Sequence, residues 1–140
     1  MNIQFIILEK KLNATCESAL KEYGKRLSRY CKFSYHMVKK EKDGLKFAKS
    51  TSSLFCITSS SNTPSSEQFS SLIEQIGLSG TSEIIFFIGF CYEDLATQIS
   101  YPIQTFSISP LSFSTSLTAT VLSEQVYRGY RIMKKEPYHK

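Results

Sequence analysis

The stretch Glu83–Gly89 (EIIFFIG) constrains this chain more than any other, because five consecutive positions, Ile84 to Ile88, carry large apolar side chains. Alternate residues of a strand point to opposite faces, so a strand apolar at every position needs cover on both sides. A chain built around such a strand folds as a layered α/β domain with helices on both faces of a mostly parallel sheet. At 140 residues and 41% hydrophobic content the chain is expected to form a single domain spanning residues 1–140, large enough for a real core. The same run, extended to Phe90, is the longest apolar stretch and is far shorter than the roughly 18 residues a membrane span requires. The opening run Ile3, Phe5, Ile6, Ile7 and Leu8 lacks a basic lead-in and a small-residue cleavage site, so it reads as a first strand and not a signal peptide.

The remaining elements follow from period and punctuation. Strands are expected at Asn2–Leu8, Phe33–Val38, Ser53–Thr58 and about Gln104–Ser109, besides the central one. Asn13 is a good N-cap for a helix running to about Cys31, with apolar positions at three- and four-residue steps from Cys16 to Tyr30. Its outer side carries Lys21, Lys25, Arg29 and Lys32. Lys39–Lys49 reads as a charged loop with a short helix. Ser65 or Ser66 caps a helix through Phe69, Leu72, Ile73 and Ile76, and a short helical segment covers about Glu93–Ser100. The last helix starts near Ser116 and runs through Leu117, Val121, Leu122, Val126 and Tyr130 to Met133.

Charge is segregated along the chain. Residues 1–49 hold twelve Lys and Arg against five acids, residues 50–123 hold no Lys or Arg and five acids, and residues 124–140 hold five basic and two acidic side chains. Two readings are open: basic ends that meet a polyanion, or two solvated helix faces. The four cysteines (Cys16, Cys31, Cys56, Cys91) are far apart with no CxxC pair, which suits reduced thiols in a cytoplasmic core and argues against a zinc site.

Generic catalytic signatures are missing: there is no GxGxxG, P-loop, GxSxG or HExxH. With only His36 and His139, neither a metal triad nor a Ser–His–Asp site is supported, and no metal is expected. His36 reads as a structural side chain. The ending EPYHK admits a solvated tail, yet Pro137 stiffens it, and Tyr138, His139 and Lys140 together have the chemistry to stack on a base and meet a phosphate. Arg128 and Arg131, one turn apart, would extend that basic surface.

The ending YRGYRIMKKEPYHK closely resembles the C-terminus of the RlmH family, the SPOUT-class methyltransferases of bacterial large-subunit ribosomal RNA. The opening NIQFII strand, the EYGKRLSRYCKF helix, the IIFFIG strand and the SISPLSF segment fall in that family's order and spacing, and the total length is read as agreeing. The resemblance implies an α/β fold whose C-terminal part forms a trefoil knot, a homodimer, and S-adenosylmethionine held in the knot. It implies methylation of N3 of a pseudouridine in large-subunit rRNA within the ribosome, hence a cytoplasmic enzyme. Carried over by position, the cofactor residues would be Ile57, Gly89 and the run Ile108, Ser109, Pro110, Leu111, Ser112 and Phe113. Arg128, Arg131, Tyr138, His139 and Lys140 would face the RNA, with His139 as the candidate for removing the imino proton. Phe90 stands where the family has a second glycine and is expected to crowd the cofactor. Thr58 and Ser61 stand in place of the family's acidic residue and glycine, Ser114–Thr115 in place of a Pro–His pair, and Ala119 in place of an arginine. Together with Phe90 these departures leave an alternative: a SPOUT-fold dimer with weakened or lost cofactor binding that serves as an RNA- or ribosome-binding module.

Overall fold

The computed structural model describes residues 1–138, so His139 and Lys140 lie outside the described residues. Five strands and five helices alternate: β1 (Asn2–Leu8), α1 (Ala14–Leu27), β2 (Lys32–Val38), α2 (Glu41–Leu45), β3 (Ser53–Thr58), α3 (Ser66–Leu78), β4 (Glu83–Ile88), α4 (Tyr92–Gln98), β5 (Gln104–Ser107) and α5 (Thr115–Met133). All pairings are parallel, in the order β2-β1-β4-β3-β5. The all-apolar strand β4 lies in the middle, and every one of its residues is buried.

The two faces of the sheet are sorted by alternation. Ile3, Phe5 and Ile7 of β1, Ile84, Phe86 and Ile88 of β4, Phe55 and Ile57 of β3 and Phe106 of β5 pack under α1, α5 and α3. Ile6, Ile85, Phe87, Leu54 and Cys56 point the other way, toward α4 and the segment around α2. Phe86 centres the first core, with the rings of Phe5, Phe55, Phe69 and Phe106 all 5.5–6.3 Å from it. Helix α5 packs against both α1 and α3. The α3 contact is close at Gly129, whose carbonyl accepts from the Ser70 hydroxyl at 2.6 Å.

The helix boundaries follow the capping chemistry. The Asn13 side chain accepts from the N–H groups of Thr15 and Cys16, and α1 stops at Leu27, before the Cys31 expected for it. Ser65, not Ser66, caps α3 in a reciprocal capping box with Gln68. Ser114 caps α5 through the Leu117 N–H, so this helix begins one residue before the expected Ser116, whose hydroxyl instead accepts from the Asn13 N–H at 3.0 Å. Gly77 lies inside α3, and Gly80 (φ +94) makes the reversal after it.

Topology turns the charge segregation of the sequence into a spatial one. The basic first third builds β1, β2, α1 and α2, which share one side of the sheet, while the segment free of Lys and Arg builds β4, β3 and β5 on the other. The later, basic part of α5 packs on α1, where Tyr127 meets Tyr23 and Tyr30 at 6.0 and 6.2 Å. His36 lies on β2, exposed and stacked 4.9 Å from Phe47. Of the four thiols expected in the core only Cys56 is buried; Cys16 and Cys31 are half-buried, Cys91 is exposed at the N-cap of α4, and all four are free.

Candidate functional site

Strands β3, β4 and β5 all end at one edge of the sheet, and the loops that follow them enclose a cleft of about 120 Å³. Ligands of open α/β sheets bind at this carboxyl edge, where loops from neighbouring strands converge. Ile57 and Thr58 at the end of β3, Ser59 just after it, Gly89 after β4, Ile108, Ser109, Leu111 and Phe113 after β5, and Thr115 and Thr118 of α5 line the cleft. Two neighbouring hollows, of about 200 and 410 Å³, share Ile108 and Thr58 with it.

Hydroxyl groups stitch the rim. The Ser60 N–H donates to the Ser107 Oγ at 3.0 Å, and the single proton of that hydroxyl faces two acceptors, the carbonyls of Ser109 at 3.0 Å and Ser60 at 3.2 Å. Ser59 Oγ donates to the Leu111 carbonyl and lies 3.3 Å from Ser112 Oγ. The loop after β3 is thereby tied to the loop after β5, so both walls hold their shape without charged residues. Gly89 is required where it stands. Its φ is +87, and a Cβ there would lie 3.1 Å from the Leu8 carbonyl oxygen and from both Thr115 side-chain tips.

Six of the eight residues expected to hold a cofactor thus converge: Ile57, Gly89, Ile108, Ser109, Leu111 and Phe113. Pro110 and Ser112 are exposed and stay outside the lining, though Ser112 braces Ser59. Thr58, Ser59, Thr115 and Thr118 line the cleft as well and were not among the expected cofactor residues. Ser and Thr abound in this chain, and only their position at strand and helix ends distinguishes these four. Phe90 does not crowd the cleft, contrary to expectation. It is buried on the opposite face, 5.3 Å from the Phe87 ring, and fills the space left by the absent side chain of Gly44.

The lining suits a cofactor with a flat heteroaromatic ring, sugar hydroxyls and a cationic sulfonium. Ile57, Ile108, Leu111 and Phe113 offer apolar walls, Thr58, Ser59, Ser109, Thr115 and Thr118 offer hydroxyls, and among the described residues no charged side chain lines the cleft. Among the described residues no group of three or more His, Cys, Asp or Glu side chains gathers to hold a metal, and no helix is long and apolar enough to cross a membrane.

The described residues expected to face RNA, Arg128, Arg131 and Tyr138, sit elsewhere. Tyr30, against which the chain's end packs, lies just before β2, at the amino edge of the parallel sheet and therefore at the opposite edge from the cleft. From Thr115 to Arg128, α5 rises on the order of 20 Å. Arg128 pairs with Glu124 at 3.3 Å and lies 5.3 Å over the Tyr138 ring. Tyr138 packs edge-on against Tyr127 at 4.9 Å, and burial, followed by hydrogen bonding to Tyr23, pushes its hydroxyl well above the usual tyrosine range. Arg131, expected on the RNA-facing surface, is spent inside the chain on Tyr30, Glu136 and the Pro137 carbonyl. His139 and Lys140 lie outside the described residues. Beneath the tail, burial pushes the Cys31 thiol up to about 11 and raises the neighbouring Tyr130 hydroxyl, which leaves both neutral at physiological pH.

A family model described as Predicted SPOUT methyltransferase matches residues 1–139. Proteins called ribosomal RNA large subunit methyltransferase H from Clostridium kluyveri, Clostridium botulinum and Clostridium tetani are 33%, 35% and 34% identical to the chain over 159 aligned positions. Each alignment covers 100% of both sequences. Since 140 residues are spread over 159 positions, 19 positions of each relative face no residue here, and the agreement in length expected from the sequence does not hold.

Proposed function

The chain belongs to the SPOUT methyltransferase family, and from that premise we propose that it uses S-adenosylmethionine to methylate N3 of a pseudouridine in large-subunit ribosomal RNA. One observation carries the cofactor assignment: six residues expected from the family resemblance line a single uncharged cleft at the carboxyl edge of the sheet. A binding-only role is not favoured. The relatives are named as methyltransferases, and one ground for the alternative, a Phe90 ring crowding the cofactor, is removed by its burial on the far face of the sheet.

Ile57, Ile108, Leu111 and Phe113 would hold the adenine, with hydroxyls of Thr58, Ser59 and Ser109 near the sugar. When bound, S-adenosylmethionine supplies an electrophilic methyl group on a sulfonium. The chain's contribution is alignment of the acceptor, which can supply most of the acceleration in a displacement of this kind. A wall without Lys or Arg spares a cationic ligand any repulsion. Removal of the imino proton is the remaining acid–base task, assigned to His139.

The separation of parts supports a homodimer. The RNA-facing end of α5 and the cleft occupy opposite edges of one chain, so a complete site would combine the cleft of one copy with the tail of another. Leu111 and Leu117, 69% and 42% exposed beside the cleft, offer apolar surface for that contact. A trefoil knot is supported by the course of the chain: after the edge strand β5 it is bonded to the β3–α3 loop at Ser59 and Ser60 and then enters α5 against both α1 and α3. An rRNA substrate implies a cytoplasmic location.

Calorimetric titration with S-adenosylmethionine tests the reading. Micromolar binding, about −8 kcal/mol, is expected, and no heat up to millimolar cofactor would overturn it. Replacing His139 with Ala is expected to abolish single-turnover methylation, and an unchanged rate would remove its assigned role.

A further inference from the structure

We propose that Tyr30, Arg131 and Glu136 form a clasp that positions the C-terminal tail for methyl transfer. The inference rests on the reading of the tail as the RNA-facing end of the enzyme. The Glu136 carboxylate accepts from the Tyr30 hydroxyl at 2.9 Å through one oxygen and from Arg131 Nη1 at 2.8 Å through the other. The same Nη1 lies 3.2 Å from the Tyr30 oxygen, which closes a triangle. Arg131 Nη2 donates to the Pro137 carbonyl at 3.0 Å, so one guanidinium grips two successive residues of the tail. The Tyr30 ring is itself fixed by stacking on Tyr130 at 5.5 Å.

These contacts are costly ways to anchor a chain end. The Arg131 side chain is only 14% exposed, and its Nε is buried with no hydrogen-bond partner among the described residues. An unpaired buried donor and a largely desolvated ion pair are poor sources of net stability. Lys135, which turns the chain out of α5, holds φ at 54, a conformation unfavourable for a side chain of its type. Apolar packing would dock a tail more cheaply. Direction is what the polar fork adds, because a guanidinium meets a carboxylate and a carbonyl in one geometry only. The beneficiary is Tyr138, held against Tyr127 and under Arg128, with His139 next in the sequence.

The test compares Tyr30→Phe, Glu136→Gln and their combination with the wild-type protein. Single-turnover methyl transfer to ribosomes from cells lacking the modification is measured, together with the S-adenosylmethionine Kd and the thermal midpoint. Each single change is expected to lower the rate at least tenfold and leave the cofactor Kd within twofold. The double variant should be no more than twofold slower than the slower single one, because the three groups act as a unit. Arg131→Lys, which keeps the charge and loses the fork, provides a further variant if either substitution lowers the midpoint, and the same tenfold loss is expected of it. Rates within twofold of wild type, in variants whose tail is released faster by carboxypeptidase, would overturn the proposal and leave the clasp a structural anchor. Wild-type protein that neither binds the cofactor nor methylates the ribosomes would instead overturn the methyltransferase reading, and this inference with it.

Discussion

The two sides of the sheet are built from similar strands and used differently. On the β2–β1 side, α1, α2 and the residues flanking α2 turn Lys21, Lys25, Lys39, Lys40, Lys42 and Lys46 to solvent, and β2 is an edge strand with a single buried residue, Val38. On the β4-β3-β5 side, residues 50–123, which build β3, α3, β4, α4 and β5, contribute no Lys or Arg, and the core aromatics concentrate around Phe86. Rigidity and neutrality go together on one side, exposure and positive charge on the other. The proposed cleft for a cationic cofactor would need the first pair, and the proposed surface for a phosphate backbone would need the second. One sheet supplies both because the strand order keeps the two sequence segments apart.

The largest test of this division compares aromatic truncations across it. Phe86→Ala is expected to cost about 3–5 kcal/mol of unfolding free energy, as a fully enclosed ring leaves a cavity. The half-buried Phe47 of the basic side should cost only about 1 kcal/mol on truncation. Denaturant titration of both variants decides it, and equal losses would break the comparison. Gly89→Ala comes next. A Cβ pressed on Leu8 and Thr115 at positive φ should cost about 2–3 kcal/mol, and calorimetry should show cofactor binding lost along with it.

Charge changes sharpen the contrast at a smaller scale. Replacing Lys21, Lys25 and Lys32 with Gln should weaken ribosomal RNA binding and flatten its dependence on log salt by about 0.7–0.9 for each phosphate no longer neutralised. The cofactor Kd should stay unchanged, since these side chains are exposed on the basic side. Ser59→Lys makes the reverse intrusion, and a cation at the cleft wall should weaken S-adenosylmethionine binding about tenfold, or about 1.4 kcal/mol.

The smallest effect concerns Glu83, whose carboxylate meets Lys49 of the basic segment at 3.4 Å. Burial alone would raise its pKa, but hydrogen bonds from Ser52 and Gln4 and the nearby Lys49 charge together hold it below the usual carboxylate value. A depressed native pKa stabilises the fold above the ordinary carboxylate range, and that contribution is lost as pH falls through the native value. Glu83→Gln should therefore lose about 1 kcal/mol at neutral pH and show a flatter stability profile in acid. A loss undiminished in acid would assign Glu83 a purely packing role.

Much of this was readable in the chain itself. The apolar run Ile84–Ile88 announced a central, doubly covered strand, and Asn13 and the Ser65–Gln68 pair marked helix starts through local hydrogen bonds. Ile57, Gly89 and the Ile108–Phe113 run were found through family resemblance, and most of them line one cleft. Other features were illegible because they depend on partners far away in sequence. Nothing local says that Phe90 turns from the cleft into the space above Gly44, 46 residues earlier. Nor does any spacing on α5 reveal that Arg131 binds Tyr30, 101 residues away, and not a phosphate.

The sequence by itself determined the elements, because helix caps, strand alternation and turn residues act over a few positions and leave their pattern in the order of residues. It also determined the charge segregation, which is composition by segment. Only the tertiary structure decided that the basic and neutral segments occupy opposite sides of one sheet, that the cleft and the tail stand at opposite edges, and that Arg131 faces inward. Those outcomes depend on strand order and on which side chains meet across a hundred residues of chain, and long-range packing leaves no periodic trace in a single sequence.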